Sequence, residues 1–189
     1  MFERFADKLL VNQQIDPEDR ELYIYGLREG LFIVLNILIT LIIGLLMGMI
    51  WQSIVFMTVY SPLRMYAGGV HAKTHIRCFF YSILLTVITL LTIKFVPDNT
   101  IIILTSALIS GVIIFFLSPV EDKNKPLDRL ERANYKKRSR IILGIIMIIM
   151  GLLVALSINT IALCISVSLA ALSIMLVLGV LKNGVAKRQ

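Results

Sequence analysis

The chain has 189 residues, of which 58% are hydrophobic and 16% are charged, and its net charge at pH 7 is +7. Soluble domains contain about 45–50% apolar residues, so this composition excludes an ordinary soluble domain and indicates a single-domain, all-α, multi-pass membrane protein, because helices satisfy their own backbone polar groups in lipid. Two cysteines exclude a disulfide framework, and so apolar a chain argues against nucleic acid as a partner.

Residues 1–30 are predicted to form amphipathic helices that lie at the membrane interface or on a partner subunit. Phe2, Phe5 and Leu9 recur at helical spacing between charged residues. The acidic residues of this segment argue against a cleavable signal peptide, which begins with a basic region and continues as an apolar one.

The apolar run 31–60 has two interpretations. A helix of this length would extend about 45 Å, which is too long for one upright span and short for two. We favour a hairpin of two short or tilted helices with a cytoplasmic N-terminus, broken near Gly44, Gly48 or Trp51-Gln52-Ser53. The alternative is one long span with the N-terminus outside. Ser61-Pro62 is predicted to end the run, because the residue before a proline avoids the helical conformation.

Four further apolar runs are each close to the 20 or so residues that cross a bilayer core as a helix. They predict transmembrane helices at 79–96, 100–118, 141–157 and 160–181. Short turns at Pro97-Asp98-Asn99 and at Ser157–Thr160 join them in pairs.

The basic residues set the predicted orientation. Segment 61–77 has three Lys or Arg residues and no acidic residue, and the predicted loop 119–140 has eight basic residues against four acidic ones. Basic loops remain in the cytoplasm, and the predicted spans place both segments and the basic C-terminus on one side. We therefore expect a cytoplasmic face that contains 61–78 and 119–140.

The segment 61–78 contains the residues best suited to chemistry. Both histidines, His71 and His75, and one of the two cysteines, Cys78, fall within it. A titratable cluster between apolar spans marks a functional site, and a histidine base with a thiol suffices for covalent thiol catalysis. Thr74 is a candidate N-cap that would place Cys78 in the first turn of the next helix, where the helix dipole favours a thiolate.

Catalysis by this pair requires a break in the chain between its members. In one continuous helix, His71 and Cys78 would lie about 10 Å apart along the axis, whereas a general base needs a contact of about 3 Å. Gly68-Gly69 and a cap at Thr74 allow such a break.

Two other functions compete with thiol catalysis. His71, His75 and Cys78 could bind Zn²⁺ from one helical face in a membrane hydrolase, although no H-E-x-x-H pattern accompanies them. A non-catalytic transporter, export component or membrane partner is the other alternative. A transporter is expected to carry paired charges within its spans, but Lys94, at the outer end of a span, is the one charge there.

Two motifs stand out along the chain: Arg64-Met-Tyr-Ala-Gly-Gly-Val-His71 with Cys78 following, and then Pro119-Val-Glu-Asp-Lys-Asn-Lys-Pro-Leu127. In this order they resemble the motifs of the AgrB family, the membrane peptidases of bacterial quorum sensing. The similarity in length and hydropathy covers nearly the whole chain. It implies a cysteine endopeptidase that removes the acidic C-terminal tail of the propeptide AgrD and closes the remaining peptide into a thiolactone or lactone, the precursor of an autoinducing peptide.

The resemblance also implies roles for individual residues. Cys78 matches the nucleophile and His71 the general base, whereas His75 matches no catalytic position. Residues that match supporting or substrate-binding positions are Arg64, Gly68, Gly69, Lys123 and Lys125. Glu121 and Asn124 are candidates for orienting His71. The family further implies a homodimer in the bacterial cell membrane, with a cytoplasmic site that uses no metal or other cofactor.

Overall fold

The computed structural model describes residues 20–70, 75–121 and 128–186. Most of the predicted N-terminal amphipathic segment lies outside the described residues. So do five residues that the sequence assigns to the site or its helix cap: His71, Thr74, Lys123, Asn124 and Lys125.

The described part of the chain is all α, as predicted, and contains six helices. They are α1 (Arg20–Leu46), α2 (Ile50–Ala67), α3 (His75–Phe95), α4 (Thr100–Leu117), α5 (Arg129–Ala155) and α6 (Asn159–Ala186). Four segments are long and apolar enough to cross a membrane: Arg77–Phe95, Thr100–Leu117, Arg129–Ala155 and Asn159–Asn183. Each overlaps one of the four predicted spans, which confirms their number and order, although the third begins at Arg129 and not at residue 141.

The chain forms two compact units, Met1–Ile39 and Thr40–Gln189. The described part of the first unit is the N-terminal portion of α1, a regular helix in which the Asn36 amide donates a hydrogen bond of 3.0 Å to the Phe32 carbonyl. The helix packing and the candidate site belong to the second unit.

The run 31–60 contains two helices, as favoured from the sequence. The break is a glycine C-cap at Gly48, whose φ is +67°. The Gly48 N–H donates to the Leu45 carbonyl at 3.0 Å, and the Met49 N–H donates to the Gly44 carbonyl at 2.7 Å. This pair of bonds is the Schellman motif, which satisfies the last carbonyls of a helix and requires a left-handed residue that glycine adopts without strain.

The prediction that Ser61-Pro62 ends this run was wrong, because α2 continues through Pro62 to Ala67. Proline removes one helical hydrogen bond. The side chains of Leu63 and Ala67, in the turn that follows, are completely buried. This burial favours the continued helix and offsets the lost bond.

The expectation that 119–140 is a loop was also wrong, since α5 begins at Arg129. Asp128 and Glu131 form a capping box, in which the Asp128 side chain accepts from the Glu131 N–H and the Asp128 N–H donates to the Glu131 carboxylate at 3.3 Å. The Asp128 carboxylate also accepts from the Arg129 N–H at 2.7 Å. These contacts satisfy helix N–H groups that have no partner within the helix. The helix thus starts about three turns before its apolar part.

Helix α6 is the central element of the second unit. About two thirds of its apolar segment is buried, compared with 22–28% for the other three candidate spans, and it packs against α2, α3, α4 and α5. Small polar residues allow close packing, and the Ser166 hydroxyl donates to the Ile103 carbonyl of α4 at 3.1 Å. Cys164 is only 2% exposed within this core, in agreement with a packing role.

The outward faces of α3, α4 and α5 are apolar. Large exposed side chains on them include Leu84, Ile88, Leu108, Ile109, Ile145 and Ile148. Such a contiguous apolar surface is incompatible with water and suits contact with lipid.

Candidate functional site

The backbone after α2 pairs with the backbone after α4. The Val120 N–H donates to the Ala67 carbonyl at 2.9 Å, and the Gly69 N–H donates to the Val120 carbonyl at 3.3 Å. Gly68 and Val120 form an isolated parallel bridge. We call this arrangement of Ala67–Gly69 and Val120 the backbone clamp. It fixes the chain two residues before His71.

Both glycines of the clamp are required by its geometry. Their φ angles are +75° at Gly68 and +123° at Gly69, which L side chains rarely adopt. A Cβ on Gly68 would collide with the Val120 carbonyl oxygen. A Cβ on Gly69 would collide with the Arg64 guanidinium and lie 3.2 Å from the Met175 carbonyl oxygen. Any other residue would therefore push the clamp apart.

Arg64 ties the clamp to α2. Its guanidinium donates to the Gly68 carbonyl at 2.8 Å and, through its other terminal nitrogen, to the Val70 carbonyl. A planar guanidinium makes two such bonds at once. The resemblance implied a supporting or substrate-binding position for Arg64. In the structure, its described hydrogen bonds go to the backbone that leads to His71, so it can act as a positioning residue.

For the propeptide processing that the family resemblance leads us to expect, replacing Arg64 by lysine should lower the rate about 10- to 100-fold, because an ammonium cannot donate to both carbonyls at once and Val70 would lose its partner. Turnover of the propeptide by reconstituted protein measures the effect. Arg138→Lys is the matched control, since Arg138 lies at the surface and donates to the Tyr66 hydroxyl at 3.2 Å. Equal activity of both variants would contradict the positioning role.

The last turns of α6 hold the other side of the clamp. A Cβ on Gly179 would lie 3.0 Å from Val120 Cγ1 and 3.1 Å from the Gly69 carbonyl carbon. One turn later, the Asn183 amide donates to the Glu121 carbonyl at 2.6 Å. The Glu121 carboxylate lies 3.2 Å from Arg132 of α5. Glu121, which we considered as a partner for His71, thus forms an ion pair with Arg132.

Cys78 lies in the first turn of α3, as the cap prediction required, although Thr74 itself is outside the described residues. Its side chain is partly buried and lines a cavity of about 510 Å³ between α2, α3 and α6. The other lining residues are Tyr60, Arg64, Val70, Tyr81, Ser82, Leu85, Met175, Leu178 and Lys182. The cavity therefore joins Cys78, Arg64 and the residue that precedes His71.

Several of these lining residues escaped the sequence prediction. Four of them lie outside the Gly-Gly motif or in a different helix: Tyr60, Tyr81, Leu178 and Lys182. The sequence alone does not distinguish the apolar ones from residues that face lipid. Gly179 and Asn183 interrupt the apolar pattern of α6 and are the one available signal.

A second, basic groove lies beside the clamp. It encloses about 360 Å³ and includes Phe116, Pro119, Arg129, Arg132 and Lys136. The three cations recur at helical spacing on α5. Lys123 and Lys125 lie between Pro119 and Arg129 in the sequence, outside the described residues.

Among the described residues, no group of three His, Cys, Asp or Glu side chains is placed to hold a metal ion. His71 and the His75 side chain lie outside that set, so the zinc alternative stays untested.

The family model for accessory gene regulator B, AgrB, matches residues 2–176, a range that includes the clamp, Cys78 and most of the cavity. The chain belongs to the AgrB family. AgrB proteins are membrane proteins, in accord with the four apolar helices.

Relatives of this AgrB-family chain carry provisional AgrB-like names. One from Clostridium perfringens strain 13 is 28% identical over 82% of this chain and 76% of its own length. One from Listeria monocytogenes serotype 4a is 28% identical over 80% and 76%, and one from Clostridium acetobutylicum is 26% identical over 89% and 81%. No solved structure matches.

Proposed function

We propose that this AgrB-family protein is a membrane cysteine endopeptidase and peptide cyclase that processes an AgrD-like propeptide. The observation that carries the proposal is the placement of Cys78 in the wall of a cavity next to the backbone clamp. A thiol at a helix start, opening into a cavity whose rim is fixed by a glycine pair and an arginine, is suited to a positioned nucleophile.

The proposed reaction begins with transfer of the Cys78 thiol proton to His71. The sulfur bonds to the scissile carbonyl carbon, the peptide C–N bond breaks, and the released amine of the tail takes the proton from His71. Cys78 then carries the rest of the propeptide as a thioester. A cysteine or serine of the propeptide attacks this thioester, and its proton returns through His71 to the Cys78 sulfur as the ring closes.

Two features of the site support this proposed reaction. Backbone N–H groups near Cys78 at the start of α3 would donate to the oxyanion that develops there. The thioester survives long enough to cyclise only where water is excluded, and the cavity walls are largely apolar side chains.

We propose that the basic groove, with Lys123 and Lys125, attracts the acidic tail of the propeptide. Arg129 and Lys136 are exposed there, and opposite charges raise the local concentration of a ligand. The family resemblance supports a homodimer in the bacterial cell membrane, and the basic residues support a cytoplasmic site.

The two histidines provide a test that separates thiol catalysis from zinc chemistry. His71→Ala is expected to lower the release of tail and of cyclic product by about 100-fold or more, the contribution of a general base, whereas His75→Ala should retain most activity. Mass spectrometry of a reconstituted reaction measures both products. The zinc alternative predicts instead that both variants lose activity. It also predicts that the wild-type protein loses activity on chelation and regains it when Zn²⁺ is added.

A further inference from the structure

The cavity beside Cys78 has two chemically different parts. Arg64 and Lys182 contribute cations, whereas Leu85 of α3 and Met175 and Leu178 of α6 contribute an apolar wall. A cavity with a mostly apolar lining and a few polar groups is the usual form of a site that binds an apolar ligand group and fixes its orientation.

The helix segment that forms most of the apolar wall is fixed in position relative to the clamp. The Met175 carbonyl oxygen would lie 3.2 Å from a Cβ on Gly69, and Gly179 packs on the backbone of Gly69. Asn183 adds a hydrogen bond of 2.6 Å from the same helix end to the Glu121 carbonyl. The segment of α6 from Met175 to Asn183 is therefore fixed relative to the chain on both sides of the clamp.

Part of this wall lies beyond the segment that the family model describes. The match ends at residue 176, and Leu178 follows it. Leu85 and Met175 lie within the matched range.

We propose that Leu85, Met175 and Leu178 form a side-chain subsite that accepts a bulky aliphatic or aromatic side chain on the residue whose carbonyl carbon Cys78 attacks. The inference rests on the proposed function and adds the substrate class. Cys78 lines the same cavity as these three residues. When the peptide is bound to the Cys78 sulfur as a thioester, the side chain of the residue next to the sulfur would therefore lie against them. A side chain that fills an apolar pocket is selected over a smaller or charged one by about 10- to 200-fold.

Acetyl-aminoacyl chloromethyl ketones test the subsite without a cognate propeptide. The thiolate sulfur bonds to the methylene carbon, the C–Cl bond breaks, chloride leaves, and the thiol proton passes to solvent. Reagents with Phe, Leu, Gly or Asp side chains would be compared on full-length protein in nanodiscs, by intact mass with peptide mapping of Cys78. Each rate is divided by the rate of the same reagent with N-acetylcysteine.

The subsite predicts that the Phe and Leu reagents alkylate Cys78 at least about tenfold faster than the Gly and Asp reagents. Leu178→Trp, which fills the subsite, should lower the Phe rate about tenfold and the Gly rate less than twofold. Leu181→Trp is the matched control, because Leu181 lies on the same helix and is exposed as Leu178 is (60% and 47%), but does not line the cavity. Leu85→Trp repeats the test from α3 if Leu178→Trp does not fold.

Equal corrected rates for all four reagents would overturn the subsite, as would equal losses in Leu178→Trp and Leu181→Trp. The latter result would indicate an effect through lipid partitioning alone. Processing of a propeptide by the same wild-type preparation separates the two proposals. Unselective alkylation in a processing protein removes the subsite and leaves the peptidase, whereas selective alkylation in a protein that processes no peptide supports the subsite and removes the peptidase.

Discussion

Replacement of Cys78 by alanine is expected to abolish propeptide processing, with a loss of turnover of about a thousandfold or more, as is usual when a catalytic nucleophile is removed. Cys78→Ser should lose nearly as much, because a hydroxyl is a far weaker acid and nucleophile than a thiol. Tail release and ring formation, measured by mass spectrometry in nanodiscs, report the loss. Both variants should insert and fold, since Cys78 is only partly buried.

The other cysteine provides the control for this prediction. Cys164 of α6 is 2% exposed in the core of the second unit. It lies far in sequence from the clamp, and its thiol acts as a small apolar group. Cys164→Ala is expected to change processing less than about threefold and to cost some stability through the smaller side chain. Retention of processing by Cys78→Ala would contradict the proposed function directly.

Replacement of either clamp glycine is the second change with a large expected effect. In Gly69→Ala the new methyl group would collide with the Arg64 guanidinium, and in Gly68→Ala with the Val120 carbonyl. The positive φ angles add a strain of about 1–3 kcal/mol each. The chain next to His71 would shift, and a misplacement of about 1 Å in a catalytic group can lower the rate about 100-fold.

Alanine at Gly144 or Gly151 provides the matched control. Both glycines lie in α5 with nothing within 4 Å of a Cβ, so the same chemical change should leave processing intact and favour the helix slightly. Turnover and thermal stability would be measured together for all four variants. Normal turnover in Gly68→Ala and Gly69→Ala would contradict the role of the clamp.

The sequence was sufficient for the parts of the fold that depend on local composition. The four spans follow from apolar length, and the break at Gly48 follows from a glycine inside a run too long for one helix. The fold class was therefore predictable without any tertiary contact.

The start of α5 and the course of α2 were missed for different reasons. Asp128 and Glu131 carried a recognisable capping box, but the apolar period begins only at residue 141 and the segment was interpreted from its charge. Pro62 is tolerated because Leu63 and Ala67 are buried by other helices. That burial is tertiary information, which a local rule about proline does not contain.

The candidate site was also predictable only in part. The motif identified Arg64, Gly68, Gly69 and Cys78 as a group, yet the reason for the glycines lies in Val120, which is about 50 residues away in sequence. The wall formed by α6 had no sequence signal beyond Gly179 and Asn183. Local patterns reveal which residues can do chemistry, whereas the partners that position them depend on the packing of distant helices.

The central claim is that Cys78 forms an acyl-enzyme, and trapping it is the most direct measurement. An AgrD-like propeptide whose ring-closing Cys or Ser is replaced by Ala cannot cyclise, so the thioester should accumulate. The account predicts that intact-mass analysis of reconstituted wild-type protein shows a mass increase equal to the propeptide without its tail, mapped to Cys78 and reversed by hydroxylamine. Tail release without any adduct on Cys78, or an adduct that persists in Cys78→Ala, would contradict it.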